Sequence, residues 1–472
     1  MRRKTKIVCT IGPATESCEM LKKMIQTGMN VARINCSHGN YEEYEMKIKN
    51  VRQVAKELST FVGIMIDTKG PEIRCGYFEN GMQQYKQGDK VYLVKEKCLG
   101  NQQRFQVCCP ELFDDIQVGN TILIDDGKFI LKVLSCNENE IYCEFQNPAN
   151  IKDRKGINVP GVTLSMPFIS EQDYKDIEFA CKQDVDTLAL SFVRKKEDVL
   201  AVKKLLQKFG KPDIALIAKI ESQQGVDHLK DILEVADGIM VARGDLGVEV
   251  LPEKVPLYQK EMIKMANQMG KVVITATHML ESMINSPRPT RAEVNDVANA
   301  IFDGTDAIML SGESAIGKYP VESVEMMDKI ALSVEGVLDY RNDLYRSVKS
   351  SQRTKNDAIG ISVAECCLTL ENVSAVFAFT ETGGTAKRIR KFRPNVPIIA
   401  CSDSPRTCQK MCYYWGVYPI IAKYENDLVK WDEEAQRIAK YFEFEKGTTL
   451  ILTSGMGQKH GSTNTIRIIE VE

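Results

Sequence analysis

Polar and charged side chains gather at the ends of short apolar runs in this chain. They are Thr10; Arg33, Asn35 and Ser37; Asp67 and Thr68; Lys219 and Glu221; Arg243 and Asp245; Thr277 and His278; Ser311 and Glu313. Glu221 and Asp245, if carried to neighbouring strand ends, offer two carboxylates to Mg²⁺, an ion that takes one or two carboxylates and completes its shell with substrate oxygens. Lys219 and Arg33 set positive charge beside them for an anionic substrate. Phosphoryl transfer is catalysed chiefly by such positioning and electrostatic stabilisation. In VARGDLG, Gly244 would let backbone amides approach an anion, provided a short helix starts there. The competing reading is structural: a carboxylate pair neutralised by Arg243 and Lys219, and solvated loop charges elsewhere. The number of converging run ends argues against it.

The elements that must position these residues are legible from periodicity. KIVCTIG (6–12), VARINC (31–36), VGIMIDT (62–68), DTLALSF (186–192), IALIAKI (214–220), GIMVAR (238–243), KVVITAT (271–277) and AIMLSG (307–312) are short and β-branched. They are too continuously apolar for a sheet with one wet face, as expected of parallel strands buried on both sides. Between them Tyr44, Ile48, Val51, Ala55 and Leu58 step along one helix face. Ser170 to Asp173 and Thr290 to Glu293 have capping-box spacing. Eight such strands predict a (β/α)₈ TIM barrel, whose functional groups sit at the C-terminal strand ends.

About a hundred residues break the alternation after the third run. KVYLVKE and TILIDD, a hairpin turn at Asp126-Gly127 and the lack of a clear helix predict an inserted all-β lid domain. From about residue 340 a helix (358–370), AVFAFT (375–380), a helix from Gly384, and PIIACS, YPIIA and TTLILTS predict a C-terminal α/β regulatory domain. The expected division is barrel 1–70, lid 71–164, barrel 165–340 and C-terminal domain 341–472.

The ordered set MNVARINCSHG, MIDTKGPEIR, IAKIES, VARGDLGVE, ITATHMLESM, PTRAE and DAIMLSGESAIGKYP resembles the motifs of the pyruvate kinase family. The resemblance runs from residue 5 to the C-terminal TNTIRI. It implies transfer of the phosphoryl group of phosphoenolpyruvate to ADP, giving pyruvate and ATP, with Mg²⁺ and K⁺ as cofactors. Carried over by position, Glu221 and Asp245 are the Mg²⁺ ligands and Lys219 stabilises the transferring phosphoryl group. Arg33 clamps the substrate phosphate, while the Gly244 and Asp245 amides and the Thr277 hydroxyl hold its carboxylate. Asn35, Ser37, Asp67 and the Thr68 carbonyl match the monovalent-cation ligands, an all-oxygen set suited to K⁺. His38, Arg74, Lys155 and Lys195 meet the nucleotide. Thr277, with Ser311 and Glu313 behind it, matches a hydroxyl network that delivers a proton to the enolate. Thr380, Thr382, Gly383 and Thr385 match the family's effector loop for fructose 1,6-bisphosphate. Glu381 there predicts weak bisphosphate activation and leaves a sugar monophosphate or AMP as effector, helped by Lys459 and His460. A homotetramer is implied by the resemblance alone.

The 472 residues suit about three domains by the usual prior of ~100–200 residues each. Lys plus Arg number 62 against 64 Asp plus Glu, so no global basic field favours nucleic acid or an anionic membrane. No run is long enough to span a membrane, and no secretory signal pattern is visible. Fifteen cysteines without paired zinc spacing read as reduced thiols of a cytoplasmic protein. One position departs from the family pattern: His278 stands where glutamine is usual. It is either a tolerated swap of one donor-acceptor for another or an ionisable ring that alters the acid limb of the rate profile. A metal-dependent aldolase on the same barrel would leave Lys219, the K⁺ set and the C-terminal domain unexplained. A catalytically silent sugar-phosphate sensor would be marked by loss of Lys219, Glu221, Asp245 or Thr277, and all four are present.

Overall fold

In the computed structural model, which describes residues 3–423, 427–455 and 463–472, the eight apolar runs close into one parallel barrel in chain order. The strands are Lys6–Thr10, Val31–Asn35, Gly63–Asp67, Thr187–Leu190, Ala215–Ile220, Gly238–Ala242, Val272–Ala276 and Ala307–Leu310. Nearly every residue in them is buried, because one face meets the barrel interior and the other the helices. Each strand is shorter than its apolar run. Thr68, Thr277 and Ser311 therefore lie just past the strand ends, on backbone free to turn toward the mouth. The long insertion does not interrupt closure: the third and fourth strands pair directly, with Thr187 opposite Met65 and Ala189 opposite Asp67.

Helix Tyr41–Glu57 buries Tyr44, Ile48, Val51 and Ala55 as its period predicts, and Leu58 is its C-cap. Both capping boxes form, at Ser170 with Asp173 and at Thr290 with Glu293. Each fixes the start of a barrel helix by satisfying free amides there.

The insertion forms a seven-stranded sheet and a two-stranded one around their own apolar core. The expected hairpin is present between Thr121–Ile124 and Phe129–Cys136. Its connection is wider than the Asp126-Gly127 pair, since Asp125, Asp126 and Gly127 all take positive φ (55°, 56° and 81°). A four-residue helix, Leu112–Asp115, corrects the expectation of none.

At the C-terminus a five-stranded sheet is built from Val417–Ile421, Ile398–Ser402, Val373–Phe379, Thr449–Ser454 and an antiparallel edge strand Thr465–Glu470. The helix expected at 358–370 starts three residues earlier, at Lys355, because Thr354 and Asp357 form a capping box, and a further helix, Tyr340–Ser350, precedes it. Cys412 and Tyr413 from this region pack among inward-facing barrel side chains such as Val31, Met65 and Met240. They lie near the strand starts, with Cys412 beside Gly63. The C-terminal unit thus stoppers the barrel at the end opposite the site. Arg406 ties it there to buried Asp186 at 3.0 Å, and Arg390 to buried Asp306. Among the described residues no helix is long and apolar enough to cross a membrane.

Candidate active site

Four charged groups form a buried cluster where the second, third and fifth barrel strands end. Arg33 donates from Nε to Asp67 Oδ2 at 2.7 Å and from Nη1 to the Thr10 hydroxyl at 2.8 Å. Lys219 Nζ lies 3.1 Å from Asp67 Oδ1 and 3.0 Å from Glu221 Oε1, and donates to Ser191 Oγ at 2.7 Å. Strand register brings them together through the fourth strand, where Ala189 stands opposite both Asp67 and Ile217, so that Ser191 and Lys219 lie two residues further along.

Burial and charge oppose one another here. For Asp67 burial disfavours the ion, but Arg33 and Lys219 together outweigh it and hold the carboxyl below its usual range. Burial works against the Lys219 ammonium too, and Asp67 and Glu221 overcome it, so the amine stays protonated well above its ordinary pKa. Glu221 goes the other way. Burial lifts it to about 7 despite Lys219, and nearby Asp245 adds to the rise. Its Oε2 accepts the Phe192 amide at 2.6 Å. Its Oε1 is buried and makes no hydrogen bond, because the Lys219 ammonium, though near, is not aligned for one. Lys219 and the Phe192 amide thus compensate the charge of this carboxylate only in part.

Thr277 and His278 have φ of 67° and 52°, a left-handed pair that is a genuine outlier for a β-branched residue. Such strain persists only when neighbours over-determine it. Arg243 does so: it donates to the Thr277 and Ala276 carbonyls (2.6 and 3.3 Å) and is anchored on Asp296 at 2.6 Å. Arg243 is therefore a brace for the loop, and not the neutraliser of Glu221 and Asp245. The Thr277 hydroxyl donates to the Ala276 carbonyl at 2.6 Å and accepts the Gly244 amide at 2.7 Å. A Cβ on Gly244 would stand 3.4 Å from that hydroxyl oxygen, so a side chain would crowd the contact.

The expected network behind Thr277 is not joined by direct hydrogen bonds. Ser311 Oγ is buried without a partner, and the Glu313 carboxylate accepts the Leu280 and Ser311 amides (3.0 and 2.8 Å). Glu313 shapes the two loops, and its burial raises its pKa.

A cavity of about 470 Å³ opens between the insertion and the barrel mouth. It brings together Arg74, Lys155 and Asp245, but His38 and Lys195 do not line it. Arg74 is held by Glu72 at 2.6 Å and Lys155 by Asp125 at 2.6 Å. His38 and Lys195 are exposed elsewhere. Asn35, opposite Asp67 on the neighbouring strand, accepts the Ser37 amide through Oδ1 at 3.1 Å, and the Thr68 carbonyl accepts the Ser191 hydroxyl at 2.7 Å.

Ser191 and Phe192 escaped the sequence reading. They end a run that was recognised as a strand, yet neither is charged. The Phe192 amide reaches Glu221 at 2.6 Å just past the strand end, where the residue itself has φ 55°. In the C-terminal sheet, Thr380 and Thr385 are buried, Thr382 is exposed and Gly383 has φ 83°. Thr463 Oγ1 donates to Thr385 Oγ1 at 3.2 Å and accepts from Arg388 at 3.0 Å. Lys459 and His460 lie outside the described residues.

The family model for the pyruvate kinase barrel domain matches residues 2–324, and that for the pyruvate kinase alpha/beta domain matches residues 357–469. A pyruvate kinase of Staphylococcus aureus strain MRSA252 is 46% identical over 476 residues, covering 99% of this chain and 80% of the relative. The enzyme of strain USA300 matches to the same extent. A crystal structure of a pyruvate kinase from Cryptosporidium parvum superposes with a TM-score of 0.95 at 37% identity, covering 100% of this chain and 96% of the other. The chain belongs to the pyruvate kinase family, the glycolytic phosphotransferases that pass the phosphoryl group of phosphoenolpyruvate to ADP and release pyruvate and ATP.

Proposed function

We propose that Lys219 is the residue on which phosphoryl transfer by this chain depends, with Mg²⁺ on Glu221 and Asp245 and K⁺ among Asn35, Ser37, Asp67 and the Thr68 carbonyl. The observation that carries the reading is the Lys219 ammonium, buried between two carboxylates and held protonated by them. A cation so placed needs no reorganisation when charge develops on the transferring group.

The residues present fit a divalent metal. Glu221 has a buried carboxylate oxygen without a hydrogen bond, and Asp245 faces the cleft. Among the described residues no three His, Cys, Asp or Glu side chains converge into a closed cage. Two carboxylates with open positions are what Mg²⁺ accepts when substrate oxygens complete its shell. Bound there, the ion supplies Lewis-acid neutralisation of phosphoryl and carboxylate oxygens. The K⁺ set is likewise all oxygen.

The chain's own residues do the rest. Arg33, fixed by Asp67 and Thr10, presents its remaining guanidinium edge to the substrate phosphate. Gly244, Asp245 and Thr277 receive the substrate carboxylate, the Gly244 amide exchanging its bond to Thr277 for one to the anion. Thr277 is the hydroxyl that stands nearest the enolate for protonation. Because Ser311 and Glu313 do not touch it, they act by shaping its loop. Arg74 and Lys155 meet the nucleotide across the cavity, and we keep His38 and Lys195 as outer contacts only. Residues 71–164 serve as a lid that excludes water, 1–70 with 165–340 as the catalytic barrel and 341–472 as an effector domain in which Thr380, Thr382, Gly383 and Thr385 receive a sugar monophosphate or AMP. Similarity to the family supports a cytoplasmic homotetramer.

The test is pyruvate formation from phosphoenolpyruvate and ADP, titrated with Mg²⁺ and with K⁺. Asp245→Asn should raise the Mg²⁺ requirement at least ~10-fold, the scale of one charge-assisted contact, and leave the K⁺ requirement within ~3-fold. Equal shifts in both would argue against separate sites.

A further inference from the structure

The insertion meets the barrel mouth at a place to which none of the assigned roles extends. Where the chain leaves the insertion, Arg194 donates to the Leu164 and Met166 carbonyls at 2.9 and 3.1 Å, and Ser165 bonds Asp115. These contacts hold the hinge. Across the cleft itself, among the described residues, one side-chain hydrogen bond runs from the insertion to the barrel: Asn158 Nδ2 donates to Glu249 Oε1 at 2.7 Å. Asn158 ends the strand Gly156–Asn158, and Glu249 ends the short helix Arg243–Glu249. Both line the cavity.

The hairpin tip at Gly127 lies close to the same helix end: a Cβ added to the glycine would stand 3.7 Å from Val248 Cγ1. The tip is tied to the strand that leads to Asn158 through Asp125 and Lys155, at 2.6 Å. So the insertion is joined to the helix end by a hydrogen bond at Glu249 and comes close to it at the adjacent Val248.

What that helix carries gives the contact its meaning. Its first turn holds Gly244 and Asp245, its Gly244 amide bonds the strained Thr277 hydroxyl, and Arg243 braces the Thr277 loop. A pull at Glu249 reaches Asp245 within about one helical turn, since the two are four residues apart. We infer that Asn158 and Glu249 form a latch that couples closure of the insertion to the placement of Asp245, Gly244 and Thr277. They are positioning residues and touch no reacting atom. The inference rests on the proposed reading of the site, and it adds the means by which the lid informs the metal and substrate ligands of its position.

A double-mutant cycle tests the latch in the full-length enzyme. Asn158→Ala and Glu249→Ala should each lower kcat/KM for phosphoenolpyruvate by roughly 10-fold, the scale of a hydrogen bond to a charged acceptor. The double variant should be no worse than either single one, because both remove the same interaction. Glu249→Gln retains the acceptor and should stay within ~2-fold of wild type. Asn158→Asp alone sets two carboxylates together and should be impaired. Combined with Glu249→Gln, it exchanges amide and carboxylate across the gap and should regain most of the loss. Hydrogen exchange with phosphoenolpyruvate, Mg²⁺ and K⁺ present should show protection at 244–249 in wild type and Glu249→Gln, and loss of protection in either alanine variant. A merely structural role would move thermal unfolding without that pattern. Losses that multiply in the double variant, or an exchanged pair no better than Asn158→Asp, would overturn the latch. Lys219→Met assayed alongside keeps the two ideas apart, since retained activity there would count against the site itself.

Discussion

Replacing Lys219 with Met keeps the aliphatic stem and deletes one buried positive charge. Removing one partner of a buried ion pair typically costs ~3–5 kcal/mol of stability. The geometry makes the cost smaller here. Asp67 keeps Arg33 at 2.7 Å and the Ser191 hydroxyl at 3.3 Å, so it remains compensated. The loss falls on Glu221, whose pKa burial has already lifted to about 7 and on which Lys219 is the foremost restraining charge. Without that restraint Glu221 takes up a proton near neutral pH and relieves itself. The variant should therefore fold, with stability reduced by less than the full cost of a broken buried pair.

Catalysis has no such relief. The variant loses the cation proposed to stand against the transferring group, and a protonated Glu221 would be a poorer metal ligand. The loss of one preorganised electrostatic contact costs on the order of 10²–10³ in kcat, or ~2.7–4 kcal/mol. We expect at least that in pyruvate formation at saturating phosphoenolpyruvate, ADP, Mg²⁺ and K⁺, with far-ultraviolet circular dichroism and thermal unfolding confirming the fold. Raising the pH from 7 to 9 should recover Mg²⁺ binding, as Glu221 ionises, but not turnover. A folded variant within ~10-fold of wild-type kcat would refute the electrostatic reasoning for Lys219.

Resemblance to the family, in which a glutamate at the place of Glu72 goes with dependence on a monovalent cation, implies that replacing K⁺ by a bulky organic cation should collapse the rate. Glu72→Lys should restore only part of it, because Glu72 also holds Arg74 at 2.6 Å, and full activity without K⁺ would contradict the assignment. Burial raises buried Asp186 to about 6, so its ionisation opposes folding: the contribution is favourable below about pH 4, is lost as pH rises through 6, and amounts to ~3 kcal/mol for a two-unit shift. The advantage of wild type over Asp186→Asn in urea midpoint should therefore shrink between pH 4 and 7, and a constant difference would exclude this group as the cause. Fructose 1,6-bisphosphate should activate weakly, since Glu381 sets a carboxylate beside the loop, whereas a true effector shifts half-saturating phosphoenolpyruvate by roughly 5–150-fold. Strong bisphosphate activation of the unmutated protein, or no gain in Glu381→Lys, would remove Glu381 from the explanation.

The barrel was legible because its signal is physical and local. Strands buried on both faces leave continuous apolar runs, and eight of them were visible in the sequence. What the runs could not show is where each strand stops. Register pairs only the residues inside the strand, and Thr68, Thr277 and Ser311 do their work outside it. The charged members of the site were readable by type, while Ser191 and Phe192 were not. A serine and a phenylalanine at a strand end carry no chemical label until Lys219 and Glu221 arrive from the neighbouring strand. The relay behind Thr277 failed for a related reason: residue type does not say whether the Glu313 carboxylate meets a hydroxyl or an amide, and two loop amides claimed it. Asn158 and Glu249 lie 91 residues apart and meet through the fold alone.

The charge count at the mouth explains why such a site depends on ions it does not itself provide. Arg33 and Lys219 are matched by Asp67 and Glu221, and Asp245 adds a further carboxylate, so two cations face three carboxylates. Phosphoenolpyruvate and ADP bring more negative charge to a partly dry cleft, where like charges repel far more strongly than in water. Arg74 and Lys155 cannot offset this alone, because each is already paired with a carboxylate, Glu72 and Asp125. Burial first, and Asp245 after it, raise the pKa of Glu221 to about 7 despite Lys219, so a further cation would favour its charged form. On the proposed reading, a divalent ion on Glu221 and Asp245 would reverse the local sign, and a monovalent ion beside Asp67 would do so again without displacing Lys219. A closed lid then strengthens each attraction by excluding water, which is why a latch that reads closure at Asp245 belongs at this point of the fold.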